Sequence, residues 1–362
     1  MSLKMIRLRS LWFQIHKWLG ITLAILVIPI SLTGAALVWH DWIDTQLHPD
    51  RYPGRTAVLS PSDYARGAVT ISIPGESVSA LNFSDGAEAV QATLVKPAPD
   101  GGRPSRATVW LDPTTAKPIA RGGSREGLLG LLHVLHGSLM VPGLGRQIVG
   151  IVGIAMLLSS LTGLWLWWPL KGSLVRGLRW QRRPDVNSNL HFTGGFWIAL
   201  PLAVLSATGV WITFPGVFSP GGRPPSPPTP IAAPRLGPDQ ALDAAKSASA
   251  GMLTSISWPA EGKGQWIVKL TSGGQPVEVA VKDADATAAI SPAKPETLAR
   301  LMRRIHDGTG MPMAWRLIIF AGGLLPALLS VTGILMWLRM RRRRANHRRS
   351  AAAFAEAEAL AN

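Results

Sequence analysis

Eight histidines and no cysteine set the chemistry open to this chain, and four of the histidines recur in register. The segment "VLHGSLMVPGLGRQ" places His136 six residues before Pro142 and ten before Arg146; "RRIHDGTGMPMAWR" repeats that spacing with His306, Pro312 and Arg316. A second pair emerges from a Ser-x-Thr-Gly tetrapeptide at residues 31–34, 160–163, 206–209 and 330–333. His16 to Gly34 and His191 to Gly209 are both 18 residues, and His136 to Gly163 and His306 to Gly333 are both 27. Two facing imidazoles are natural axial ligands for a planar haem, which needs no cysteine when held that way. The missing thiols exclude disulfides, Cys-ligated zinc, thiolate-held iron–sulfur clusters and the covalent attachment of c-type haem. The expectation is therefore two non-covalent haem b groups per chain, one on His16 and His191 and one on His136 and His306. No catalytic side chain is singled out beyond these ligands.

Gly34, Gly163, Gly209 and Gly333 are expected beside the haems, because a residue without a Cβ lets a flat macrocycle approach the helix backbone. Small-residue patterns also mediate helix packing in membranes, which is the competing reading for each tetrapeptide. Arg146 and Arg316 offer fixed guanidinium forks for haem propionates. Snorkelling boundary arginines are the alternative there. Arg7 and Arg182 match one another likewise and are candidates for the inner haem, although their place beside apolar spans already accounts for them. The other four histidines fail the symmetry test: position 215 opposite His40 is Pro, position 303 opposite His133 is Arg, and His48 and His347 lie in polar segments. His133 is left as a neighbour of the ligand set and His40 as a substrate-side group.

These residues need elements to hold them. The chain has 362 residues with 47% hydrophobic and 16% charged content, and 15 Trp against 2 Tyr, a membrane-protein composition. Four apolar stretches reach the ~20 residues that cross a hydrocarbon core. The net charge of +16 does not point to nucleic acid, because basic residues cluster beside the spans: Lys4, Arg7, Arg9 and Lys17 before the first; Lys171, Arg176, Arg179, Arg182 and Arg183 between the second and third; Arg339 and Arg341 to Arg344 after the fourth. That is the positive-inside pattern, and it puts both termini and the central loop in the cytoplasm. The first stretch has a basic start like a signal peptide, but its apolar run is too long and lacks a clean cleavage site, so it is expected to persist as a helix.

The organisation expected is a cytoplasmic N-terminus (1–17), a first span (18–40), an outer module (41–145), a second span (146–168) and a cytoplasmic loop (169–190). A third span (191–215), a second outer module (216–314), a fourth span (315–338) and a cytoplasmic tail (339–362) repeat the plan. The outer modules read as small α+β units: "ATVWLDPTTAKPI" and "QWIVKLTSGGQPVEVAVKD" alternate apolar and polar residues as strands do. "GPDQALDAAKSA" begins with a cap and continues as a helix. The Pro-rich residues 219–234 form a stiff linker, and the Ala/Glu-rich tail is expected to be a frayed helix. Two copies of span–module–span in one orientation imply a pseudo-twofold axis along the membrane normal. The fold class is thus a mainly α membrane protein: a four-helix bundle of two tandem repeats carrying two small α+β modules. Facing residues in a bundle core are where such proteins build cofactor sites.

"HKWLGITLAILVIPISLTGAALVWHDWID", "LHGSLMVPGLGRQIVGIVGIAMLLSSLTG" and their second-half counterparts resemble the PepSY-associated transmembrane helix family, over about residues 10–345. The resemblance implies a multi-pass protein of the bacterial inner membrane with PepSY-like periplasmic modules, haem carriage at the four histidines and a role in iron acquisition as a ferric-siderophore reductase. Its expected partners are a ferric siderophore or other ferric chelate, membrane lipid, and a donor such as a quinol or redox protein. No Gly-x-Gly-x-x-Gly segment follows a strand, so the electrons must come from elsewhere. Two rivals stand beside this reading: a non-enzymatic membrane protein that regulates or assists a periplasmic protein, and a transporter, since repeats and midplane glycines also suit alternating access.

Overall fold

The structure, a computed structural model, describes residues 3–84, 88–98, 104–123, 126–168, 185–218, 230–231, 233–292 and 295–361. The basic loop residues 169–184, with Arg182, and most of the Pro-rich linker lie outside them. The chain divides into a unit of residues 1–39, 131–222 and 297–362, and a unit of residues 40–130 and 223–296.

The first unit is helical. Its long helices are α1 (Leu3–Leu37), α5 (Gly145–Trp167), α6 (Val186–Thr213) and α10 (Met313–Ala361), all long and apolar enough to cross a membrane. Helices suit that role because every backbone bond closes within the segment. Short helices α4 (Gly127–Ser138) and α9 (Leu298–Asp307) lead into α5 and α10. Helix α1 starts at Leu3, ahead of the span expected from residue 18, and α10 runs on from the fourth span through the tail expected to be helical, to Ala361. The added residues are largely Leu, Arg, Ala, Met and Glu, strong helix formers that propagate a helix already nucleated in the span. Two glycines bring the spans together. A Cβ on Gly323 of α10 would fall 2.8 Å from Ala35 and the Ser31 carbonyl of α1, and one on Gly153 of α5 would fall 3.0 Å from Val210 of α6. Close backbone approach at small residues is how helices associate where lipid removes the hydrophobic drive.

The second unit carries one antiparallel sheet of eight strands: β1 (Ser77–Asn82), β2 (Val90–Lys96), β3 (Ser105–Leu111), β4 (Pro118–Gly123), β5 (Met252–Ser257), β6 (Gln265–Ser272), β7 (Gln275–Lys282) and β8 (Ala288–Ile290), in the order β4-β3-β2-β1-β5-β6-β7-β8. The two expected modules therefore share a single sheet, joined where Ala80, Leu81 and Asn82 pair with Ser257, Ile256 and Ser255. Alternate residues face the core, Val90, Ala92 and Leu94 on β2 and Trp266, Val268 and Leu270 on β6, the period-2 pattern of a sheet covered on one face. The cover is α3 (Pro61–Val69), through Tyr64 and Ala68, and α8 (Pro238–Ala248), through Ala241, Leu242 and Ala245. Helix α3 begins with a capping box in which Ser60 and Asp63 satisfy one another's backbone N–H. Short helices α2 (His40–Leu47) and α7 (Pro215–Phe218) complete the described elements, with a 3₁₀ turn at Pro49–Arg51.

Candidate functional site

The four register-matched histidines meet as two pairs. His16 of α1 faces His191 of α6 with ring centroids 6.3 Å apart and planes at 78°. His136 of α4 faces His306 of α9 at 6.1 Å and 44°. All four rings are held the same way. Nδ1 of His136 lies 2.8 Å from the Ile30 carbonyl, and Nδ1 of His306 lies 3.0 Å from the Leu205 carbonyl and 3.1 Å from Thr208 Oγ1. Nδ1 of His16 lies 3.1 Å from the Ser159 carbonyl and 3.2 Å from Thr162 Oγ1. Nδ1 of His191 lies 2.9 Å from Thr332 Oγ1.

A carbonyl only accepts, so each imidazole facing one carries its proton on Nδ1. The threonine hydroxyls donate to carbonyls one turn back, Thr162 to Leu158 and Thr332 to Leu329, so they too accept from Nδ1–H. The tautomer is thereby fixed, and Nε2 keeps its lone pair for a metal. This is the second partner that metal-ligating histidines regularly have. Burial lowers the His136 imidazole from its ordinary value. Burial and then the neighbouring His136 bring His306 down to about 4, so both rings are neutral donors at neutral pH.

The Ser-x-Thr-Gly tetrapeptide now has a physical account. Its glycine makes room for an imidazole edge: a Cβ would fall 2.7 Å from His136 Cε1 at Gly34, 3.1 Å from His16 Cε1 at Gly163, 3.0 Å from His306 Cε1 at Gly209 and 3.4 Å from His191 Cε1 at Gly333. The glycine space is taken by the histidine itself, where the sequence reading had put a macrocycle face. The threonine anchors the ring in three of the four cases. The serines of α1 and α6 lie on the side facing Gly323 and Gly153, so part of the motif does pack helices.

Two glycines that sequence reasoning missed offer the open faces. Gly20 and Gly195 stand one turn after His16 and His191, a Cβ on either would meet nothing within 4 Å, and both line a cavity of about 950 Å³ that also holds His16, His191, Gly163 and Gly333. The same 175-residue offset that relates His16 to His191 relates Gly20 to Gly195, and it was the available sign. A haem fits what is present. Two imidazoles on opposite sides of one metal, at about 2 Å per metal–nitrogen bond, put their centroids roughly 6 Å apart, as both pairs do. Among the described residues no three His, Asp or Glu gather into a metal-binding group. Each pair presents two imidazoles.

Arg146 and Arg316 are placed alike, on helix ends. Arg146 donates from Nε to the Thr213 carbonyl (3.1 Å) and from an Nη to that of Ile212 (2.6 Å), at the last turn of α6. Arg316 donates to the Val38 carbonyl (2.8 Å), just past α1, and its guanidinium lies over Trp39. They satisfy carbonyls that a helix C-terminus leaves without partners and complement its negative dipole end. His40 pairs with Asp41 at 2.9 Å, and His133 lies near His136. Neither belongs to the His16–His191 or the His136–His306 pair.

A family model described as the PepSY-associated TM region matches residues 13–340. Among curated proteins, none matches the chain.

Proposed function

The chain belongs to the PepSY-associated TM region family, and from that premise we propose that it is a dihaem b electron-transfer protein of the bacterial inner membrane that reduces a ferric chelate, such as a ferric siderophore, at the periplasmic face for iron acquisition. The observation that carries the reading is the geometry of the histidine pairs, 6.3 and 6.1 Å between centroids, with every Nδ1 tethered. A bound haem supplies one-electron iron chemistry that no side chain of this chain has. His16 and His191 hold one at the cytoplasmic side, and His136 and His306 hold the other at the outer side. Threonines 162, 208 and 332 and the backbone carbonyls orient the rings, and the cradle glycines admit them. The basic flanks set the orientation, with both termini cytoplasmic and the sheet unit, read as two PepSY-like modules of a tandem repeat, outside. The sheet unit then offers the surface on which a ferric chelate docks. If bound, each haem would be held by two imidazoles, His16 with His191 and His136 with His306, and would supply the one-electron chemistry. The electron donor is a quinol or a redox protein.

Protein purified from haem-replete cells should be red and contain two acid-extractable haems per chain by pyridine haemochrome. Dithionite-reduced, desalted protein mixed anaerobically with ferric siderophores should reoxidise with stoichiometric Fe(II) trapped by ferrozine. A haem-loaded protein that no ferric chelate in the panel reoxidises would retain the cofactor reading and sink the reductase.

A further inference from the structure

Resting on the haem reading, we propose that the inner cavity holds its ligand by two anionic groups received at Arg343 and Arg344 of α10, with Arg348 beside them, so that the macrocycle's carboxylates point along α10 toward its basic end. For the inner haem the sequence offered Arg7 and Arg182; Arg7 does not line this cavity, and Arg182 lies outside the described residues.

The cavity is the starting observation. One stripe of α10 lines it throughout: Gly333, Trp337 and Met340, and then Arg343, Arg344 and Arg348. The stripe changes from apolar to cationic within the same wall. Positive-inside topology explains why arginines follow the span, but not why these share the cavity face, because Arg341 and Arg342 meet the same topological need and do not line it. Arg341 lies instead over the Trp337 ring, 4.9 Å from its centroid. Five cations line the cavity (Lys17, Arg339, Arg343, Arg344, Arg348) against one carboxylate, Asp185. Asp185 is already engaged by Arg339 at 3.1 Å, and Lys17 donates to Gln14. Arg343 also acts on the Asp185 charge, and with five cations against one carboxylate the wall keeps a surplus of positive charge that Arg343, Arg344 and Arg348 share.

Reach supports the same assignment. Gly333 cradles His191, and ten residues of helix separate it from Arg343, roughly 15 Å. Helical side chains lean toward the N-terminus, so extended arginines recover several ångströms of that rise. An apolar body between the histidines with anions at one edge matches this wall. A phospholipid has the same chemistry, acyl chains and a phosphate, and the test must separate the two.

The test uses full-length protein made without haem and titrated in neutral detergent with haem and with haem dimethyl ester, whose carboxylates are masked. The inner site is followed through the bis-imidazole Soret band that His191→Ala removes. The proposal expects the wild type to bind haem at least tenfold more tightly than the ester at that site. It expects R343Q/R344Q to lose that preference while still binding the ester as the wild type does, which also shows that the variant folds. Equal binding of haem and ester by the wild type overturns the carboxylate assignment and leaves the haem reading intact. Failure of both to give a bis-imidazole spectrum overturns the haem reading with it. If phosphatidylglycerol, and not phosphatidylcholine, displaces haem from the wild type but not from R343Q/R344Q, the arginines serve a lipid phosphate and the assignment falls.

Discussion

Ahead of α3 the backbone N–H groups of Val58 and Leu59 need an acceptor, and ahead of α8 those of Arg235 and Leu236 need one. The first half uses Tyr64, whose hydroxyl accepts from both N–H groups (3.1 and 3.2 Å) and donates to the Pro113 carbonyl. The second half uses Asp283, whose two carboxylate oxygens take the N–H groups (2.8 and 3.0 Å) and the Trp266 indole (2.9 Å). Residues 113 and 283 differ by the same 170 positions as His136 and His306. The location is shared, then, and the chemistry is not. At the histidine cradles the two halves use the same chemistry with different clearance, 2.7 Å at Gly34 against 3.0 Å at Gly209, and 3.1 Å at Gly163 against 3.4 Å at Gly333. Equivalent positions are thus held to a common geometry at the histidines, while the framework is free to change its means. The first half has the tighter cradles; the second has the charged lock.

The largest effect tests the part that is shared. Replacing one ligand should cost a whole haem whichever half it comes from: His16→Ala and His191→Ala should lose the same one, and His136→Ala and His306→Ala the other, by haemochrome analysis. If a first-half substitution removes a haem and its second-half mate does not, the pairing is wrong.

The charged lock comes next. Backbone N–H bonds from Arg235 and Leu236, and the indole of Trp266, hold the Asp283 carboxyl below its ordinary value although burial alone pulls it up. A lowered value means that its contribution is present above the unfolded carboxylate pKa of about 4 and is lost as pH falls through the folded value. Burial raises the Tyr64 phenol, so its contribution is present below about pH 10 and fades only as pH rises through the raised value. Acid should therefore loosen the second half first. Hydrogen exchange, corrected for intrinsic rates, should rise at residues 235–236 near pH 3 while 58–59 stay protected. Asp283→Asn should destabilise the sheet unit by about 2 kcal/mol and flatten its acid dependence. Equal acid sensitivity in both segments breaks the contrast.

The cradle series grades clearance. A methyl forced against a packed ring costs about 1–3 kcal/mol, so Gly34→Ala should weaken the outer haem by ~2 kcal/mol and more than Gly209→Ala. Gly333→Ala, in ordinary van der Waals range, should leave the inner haem within ~0.5 kcal/mol of wild type by the same reasoning. A reversed order would show that the glycines serve something other than the imidazole. The anchoring hydroxyls should matter less than Gly34. Thr208→Val removes one acceptor from the His306 Nδ1–H and leaves the Leu205 carbonyl, costing about 1 kcal/mol; Thr332→Val should shift the inner midpoint potential by more, because its hydroxyl is the nearer acceptor at His191. Redox titration of the two variants checks the ranking.

The four spans and both histidine pairs were legible in the sequence, because hydropathy and the matched spacing of each histidine to its Ser-x-Thr-Gly glycine survive without coordinates. The cradle was half legible: Gly34 and its counterparts stood out by spacing, but that they receive Cε1 of a histidine on another helix depends on which helices cross where. Gly20 and Gly195 escaped because an open face is the absence of a neighbour, and no residue pattern writes that. Arg146 and Arg316 carried the right types for a carboxylate and also for a helix end, and only geometry separates the two. The single sheet was hidden for a similar reason. Strands β1 and β5 each carry a register shift, at Val78/Ala80 and Leu253/Ser255, and nothing local in either says that its outer edge is the other's partner.

That joint has a consequence for how the molecule comes into being. Leu81 of β1 pairs with Ile256 of β5, and everything between them, including two membrane spans, is synthesised first. Until β5 arrives, β1 has one edge of unpaired N–H and C=O groups, the kind of edge that recruits other chains. Sheet completion is a late, long-range closure, slow by the logic that loop entropy is spent before distant contacts repay it. The first half of the chain, released alone, should therefore be a poor folder and prone to aggregate through β1. An expression strategy that splits the protein between its halves should succeed only when both pieces are made together, so that β5 can close the edge as it does in the intact chain.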